Sequence, residues 1–136
     1  MRRPPARTSR IAAALIDDGH GRLLLVRKRG TRWFMQAGGK IEGEEDVRSA
    51  LLRELSEEIG LELEAGAGHY LGCFTAPAAN EADCTVEAEL FHIRSRHRPL
   101  LGAEIEEAIW VLPAEAELLS LAPLTRECVM PLARML

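Results

Sequence analysis

The sequence predicts an α/β fold: an α/β sandwich with a mixed sheet, built as one domain. Three observations carry this. Short apolar runs of strand length stand both before and after one long amphipathic segment. That segment, 45–59, contains no Gly or Pro and repeats its apolar residues every four positions. At 136 residues the chain is long enough to bury one core and matches the size of one ordinary domain.

Residues 1–9 carry Pro, Arg and Ser without periodicity and read as a loose N-terminal arm, leaving 10–136 as the domain. Residues 10–16 form an apolar run, and 22–26 form another. Between them Asp17-Asp18-Gly19-His20-Gly21 is a hairpin signal. A third short strand is expected at 33–35, followed by Gln36-Ala37-Gly38-Gly39-Lys40, a backbone free to take unusual dihedrals. The helix at 45–59 places acidic residues in its first turn, where they suit the dipole, and ends at Gly60. Val47, Leu51, Leu55 and Ile59 make its apolar stripe. Strands are expected at 70–75, 85–93 and 108–112, with a loop over 76–83. Pro113 opens a short helix at 114–119. A last helix spans 125–135, with Pro131 near its middle as a warning.

Composition narrows the class of function. With 47% hydrophobic and 28% charged residues, the chain reads as an ordinary folded domain. A formal net charge of −4 argues against bulk nucleic-acid binding, which needs a basic excess. It leaves room for a phosphate-bearing substrate, because a bound cation offsets the charge locally. Cys73, Cys84 and Cys128 form no paired motif, and their odd number favours reduced thiols in a cytoplasm. No apolar run reaches membrane-spanning length, and the basic start Met1-Arg2-Arg3 is followed by no apolar leader.

The residues Arg53-Glu54-Leu55-Ser56-Glu57-Glu58 break several local rules at once. Glu54, Glu57 and Glu58 are related by three and four positions, so their carboxylates cluster and repel. They lie in the half of the helix where the dipole disfavours anions. On the helical wheel Glu58 points nearly along the apolar stripe. Such conflicts are expected where function outweighs stability. A divalent cation resolves this one: carboxylates at helical spacing suit Mg²⁺ or Mn²⁺, which bridge to substrate phosphates.

Around the cluster, Gly39, Glu45, Arg53, Glu54, Leu55, Glu57, Glu58, Gly60 and Leu61 fit the pattern G-x₅-E-x₇-R-E-U-x-E-E-x-G-U, with U apolar. A chance match is on the order of 10⁻⁷ or less, given background residue usage. The chain resembles the Nudix hydrolases, which share this signature. The resemblance implies an α/β/α sandwich, the Nudix fold, and hydrolysis of nucleoside diphosphates linked to another group. It implies Glu57 and Glu58 as metal ligands, Glu54 as ligand or base, and the Gly38 carbonyl as a further ligand. Arg53 would orient the glutamates, Glu45 would support them, and Mg²⁺ or Mn²⁺ would be the cofactor. Metal ions neutralise phosphate charge and lower the pKa of a bound water, whose proton a carboxylate then removes.

Beyond the motif, one of Glu104, Glu106 and Glu107 is expected to complete the metal site, with Glu104 the candidate, ahead of Glu87 and Glu89. From the basic run Arg27-Lys28-Arg29, Arg27 and Arg29 are substrate-binding candidates, joined by Gly39 and by the amide of Asn80. Trp33 and Phe34 are open to stacking on a base or to core packing. The expected partner is a small nucleotide-like substrate; a homodimer is left open. Pro77 stands where the family's ADP-ribose-type members carry a proline, which favours ADP-ribose or an ADP-sugar. The alternatives are a MutT-like nucleoside triphosphate pyrophosphohydrolase and a non-catalytic nucleotide-binding regulator.

Overall fold

A computed structural model describes residues 7–136. Seven strands form one mixed sheet: β1 (Arg7–Asp17), β2 (Leu23–Lys28), β3 (Phe34–Met35), β4 (Ala37–Lys40), β5 (His69–Pro77), β6 (Cys84–Arg94) and β7 (Ile105–Val111). The sheet runs β3-β2-β1-β6-β5, with β4 also paired to β1 and β7 to β2. Among these strands β1 and β6 are the parallel pair, from Arg7 opposite Cys84 to Asp17 opposite Arg94. Helix α1 (Val47–Ile59) covers one face. The other carries α2 (Pro113–Ala116), a π-helical turn (Thr125–Val129) and α3 (Met130–Ala133).

The two faces follow from strand alternation. Ala12, Ala14, Ile16, Leu24 and Val26 point to α1 and pack with Leu51, Leu55 and Ile59. Ala13, Leu15, Leu23 and Leu25 point the other way, onto Leu121, Leu124, Val129 and Met130. The result is the expected α/β/α sandwich. Among the described residues no helix is long and apolar enough to cross a membrane.

The structure corrects several expected boundaries. β1 begins at Arg7, so the expected arm is shortened at its inner end, and its residues 1–6 lie outside those described. α1 begins at Val47 instead of 45. Asp46 takes the cap position and its carboxylate accepts the Ser49 amide at 3.0 Å. Glu45 therefore stays outside the helix, and the first turn holds no acidic residue. The glycines at 38 and 39 lie within a strand. A Cβ on Gly38 would collide with the Ala12 carbonyl across the β1–β4 pair, and its φ of +148° suits glycine. β7 starts three residues earlier than expected, taking in Glu106 and Glu107. The helix expected at 114–119 is the single turn Pro113–Ala116. The C-terminal helix opens as a π turn because Pro131 has no N–H and crowds the carbonyl four residues before it; widening the preceding turn relieves this.

Candidate active site

One cavity of about 570 Å³ opens where α1 crosses the sheet. Its lining includes Lys28, Gly39, Lys40, Glu42, Glu54, Glu57, Glu58 and Glu104. Three segments build it. β4 packs against α1 through Gly39, where any Cβ would collide with the Glu54 carboxyl group. β2 ends at Lys28. The third is the loop before β7, which closes on the end of α1: the Leu100 amide donates to the Ile59 carbonyl and the Gly102 amide to the Glu58 carbonyl, both at 2.9 Å. His97 Nε2 donates to the same Ile59 carbonyl at 2.7 Å. These contacts satisfy carbonyls a helix end leaves free, and they carry Glu104 to the cavity wall.

Arg53 organises the carboxylates. It donates to both oxygens of Glu45 at 2.8 and 2.9 Å, to Glu54 Oε1 at 2.9 Å, to Glu57 Oε2 at 3.4 Å and to the Lys40 carbonyl at 3.0 Å. Its pKa is raised above the ordinary value, chiefly by the Glu45 bonds, so it stays charged. Glu58 is different. It is 5% exposed, as its place near the apolar stripe requires, and Oε1 accepts the Gly38 amide at 3.0 Å. Burial pushes its pKa up to about 7, against the lowering effects of that amide and of Lys28; Glu54 and Glu104 add repulsion.

Among the described residues no three carboxylate, imidazole or thiol groups yet converge on one point. Glu54 and Glu57 turn to Arg53, and Glu58 turns to β4. The carboxylates share a wall without closing on its centre.

The basic run at the end of β2 divides by alternation. Lys28 lies on the α1 side with Leu24 and Val26 and lines the cavity. Arg27 and Arg29, the residues singled out from sequence, are absent from its lining. Arg27 donates to Glu107 at 2.9 Å and to the Thr31 carbonyl at 2.8 Å; Arg29 pairs with Glu106 at 2.5 Å. Those pairs also occupy two of the three downstream carboxylates, and Glu104 alone of the three lines the cavity. Glu87 and Glu89 lie elsewhere, both within 4 Å of Arg10. Counting two residues on from Leu24 and Val26 would have found Lys28 in the sequence. Lys40 and Glu42 were also missed, and their adjacency to Gly39 was the signal.

A smaller cavity of about 160 Å³ adjoins the first and shares Lys28, Gly39 and Lys40 with it. Gly38 and Asn80 line it, with Gln36, Met35, Ile11 and Val86. Pro77, at the exposed end of β5, lines neither. Trp33 is half-buried, with the Arg32 guanidinium 4.4 Å above its ring, and Phe34 packs on the core face away from α1.

Clustered carboxylates and two lysines on one cavity of an α/β/α sandwich suit the binding of a cation and phosphates. A family model, the NUDIX domain, matches residues 7–132, and the chain belongs to the Nudix (MutT-like) hydrolases. It is a pyrophosphohydrolase acting on nucleotide-linked substrates. The chain is 31% identical over 118 residues to the CTP pyrophosphohydrolase of Escherichia coli (strain K12), covering 83% of this chain and 82% of that one. The solution structure of the E. coli ORF135 protein is 27% identical, with a TM-score of 0.67 over 95% of this chain and 88% of that one. The MutT protein of Methanosarcina mazei Go1 shares the fold, with a TM-score of 0.79 at 20% identity over 98% and 97%.

Proposed function

We propose that the chain hydrolyses a nucleoside triphosphate to the monophosphate and pyrophosphate, using Mg²⁺ or Mn²⁺. The observation that carries this is the junction of the two cavities through Lys28, Gly39 and Lys40. The acidic one takes cation and phosphates, and the smaller one takes the nucleoside end. Similarity to a CTP pyrophosphohydrolase along most of both chains favours a triphosphate. The ADP-ribose or ADP-sugar preference expected from Pro77 has no contact behind it, because that residue lines neither cavity.

The residues fit a hard divalent cation. Glu54, Glu57, Glu58 and Glu104 are oxygen donors on one cavity, and Glu58 is a buried carboxylate that ionises with difficulty until a cation stands beside it. Glu57 and Glu58 would hold the ion, with Glu104 and the Gly38 carbonyl as further ligands. When bound, it neutralises phosphate charge and lowers the pKa of a coordinated water. Arg53 holds the Glu54 carboxylate in place, and Glu54 takes the proton of the attacking water. As the new P–O bond forms, the bridging P–O bond breaks and pyrophosphate leaves with the electron pair. Lys28 and Lys40 stabilise the charge that develops on its oxygens. The reading assigns Gly39 and Asn80 to the substrate, with Lys28 in place of Arg27 and Arg29. Free thiols at Cys73, Cys84 and Cys128 favour a reducing, cytoplasmic medium.

The test is product analysis over four nucleoside triphosphates, ADP-ribose and an ADP-sugar with Mg²⁺. Monophosphate and pyrophosphate are expected, lost in EDTA and restored by Mg²⁺ or Mn²⁺. Faster cleavage of the ADP-linked compounds would return the preference to ADP-ribose. Nucleotide binding without any turnover would make the chain a regulator. Activity surviving EDTA would remove the metal from the reading.

A further inference from the structure

Gln36 sits between β3 and β4 and is 5% exposed. Its Oε1 accepts the hydroxyl of Thr125 at 2.8 Å, and Thr125 is fully buried in the π turn on the far side of the chain sequence. The amide nitrogen has no partner among the described residues. Yet none of their buried polar side-chain atoms is left unpaired. Nε2 therefore keeps some exposure, and Gln36 is one of the residues that line the smaller cavity. Around it the wall is largely apolar: Ile11, Met35, Cys84 and Val86.

We infer that Gln36, oriented by Thr125, is the specificity-determining residue for the substrate's base, selecting one that presents a carbonyl oxygen. This rests on the triphosphate reading above and extends it to the base. At about 160 Å³ the cavity is below the size of a pocket for a whole ligand, and it suits one planar ring system. A free glutamine reads adenine with both ends, its oxygen taking the exocyclic amine and its nitrogen giving to a ring nitrogen. Here the oxygen is turned to Thr125, which leaves the amide nitrogen as the group presented to a base. A donor meets the carbonyl oxygen of cytosine, uracil or guanine, whereas adenine has no carbonyl and offers only ring nitrogens, two of them beside its amino group. The apolar wall stacks against either face of the ring.

The experiment is calorimetric binding of CMP, UMP, GMP and AMP to the full chain in EDTA, run beside triphosphate kinetics. Wild type is expected to bind at least one carbonyl-bearing monophosphate about tenfold more tightly than AMP, the effect of one hydrogen bond made or left unmade. In Gln36→Leu this preference should fall to within about twofold. That variant leaves the Thr125 hydroxyl unpaired, so Gln36→Leu with Thr125→Val serves as the second variant. It restores an all-apolar contact and the melting temperature but not the preference. Thr125→Val alone frees the amide to turn, and AMP should gain on the others. AMP binding as tightly as the rest in wild type overturns the inference. So does absence of binding by all four, or a preference that survives Gln36→Leu or returns in the double variant. Selective binding with no triphosphate turnover would overturn the triphosphate reading and leave Gln36 standing; turnover without base preference would do the reverse.

Discussion

Arg53 grips Glu45 through two parallel bonds, Nε to Oε2 at 2.8 Å and Nη2 to Oε1 at 2.9 Å, although Glu45 lies outside the helix that carries Arg53. The Arg53 bonds, with the Glu42 amide, hold the Glu45 carboxyl down at about 2, so the pair persists across the working pH range. The guanidinium's remaining donors are thereby aimed at Glu54, Glu57 and the Lys40 carbonyl. A lysine cannot reproduce this planar fork.

Arg53→Lys and Glu45→Gln should accordingly lower metal affinity or turnover by about 10–100-fold, the usual cost of disturbing groups that orient metal ligands. A Mg²⁺ titration of initial rates measures it. Rates within twofold of wild type at every Mg²⁺ concentration would show that Arg53 does not orient the site.

The metal-free protein should lose stability as pH rises from about 5 to 8. Glu58 has its folded pKa raised by burial from 4.5 to about 7, so the folded state binds the proton more tightly than the unfolded chain. That stabilisation is complete below the ordinary carboxylate range and is lost as pH rises through about 7. It amounts to at most about 3 kcal/mol. Thermal melts in EDTA should show the fall in wild type and a flatter profile in Glu58→Gln. Saturating Mg²⁺ should reverse the slope, because a ligand must be ionised. Parallel profiles for the two proteins in EDTA would count against the buried, protonated Glu58.

Glu57→Gln should separate activity from stability. The Glu57 side chain is 60% exposed and meets Arg53 at only 3.4 Å, so the ion pair is worth little. Its charge also stands at the negative end of the α1 dipole. Turnover should fall by more than about 100-fold, while the metal-free melting temperature stays level or rises. A large drop in that temperature would make Glu57 structural.

Gly102→Ala should damage the site from a distance. A Cβ there would strike the Glu57 carbonyl, forcing the loop off the end of α1 and breaking the Gly102–Glu58 backbone bond. A loss of roughly 1–3 kcal/mol is expected from this overpacking, with turnover reduced as Glu104 leaves the cavity wall. Denaturant melts and Mg²⁺-dependent rates on the same preparation test both parts; an unchanged rate would separate Glu104 from the reaction.

How much of this was legible beforehand depended on range along the chain. The clustering of Glu54, Glu57 and Glu58, and the approach of Glu58 to the apolar face, follow from helical geometry over four residues. The apolar runs at 10–16 and 22–26 likewise marked β1 and β2 as strands, whereas the division of their side chains between two faces is read from the structure. The helix start was misplaced by two residues because Glu45 and Asp46 both look like first-turn acids, and only the Asp46–Ser49 bond decides which is the cap. The preference for Arg27 and Arg29 over Lys28 came from charge alone, without the alternation that places Lys28 under α1.

The sequence by itself therefore determined the family, the carboxylate helix and the existence of the strands, since each is written in residues close along the chain. Tertiary structure decided which distant groups join them. Glu104 reaches the cavity because its loop caps the carbonyls at the end of α1. Arg27 and Arg29 are withdrawn because β7 lies beside β2 and sets Glu107 and Glu106 within reach. Gln36 is turned by Thr125, 89 residues away, because the π turn packs on the same face of the sheet as Phe34 of β3. No periodicity records such pairings: they are fixed by how two core faces close on one sheet, a property of the whole packed chain.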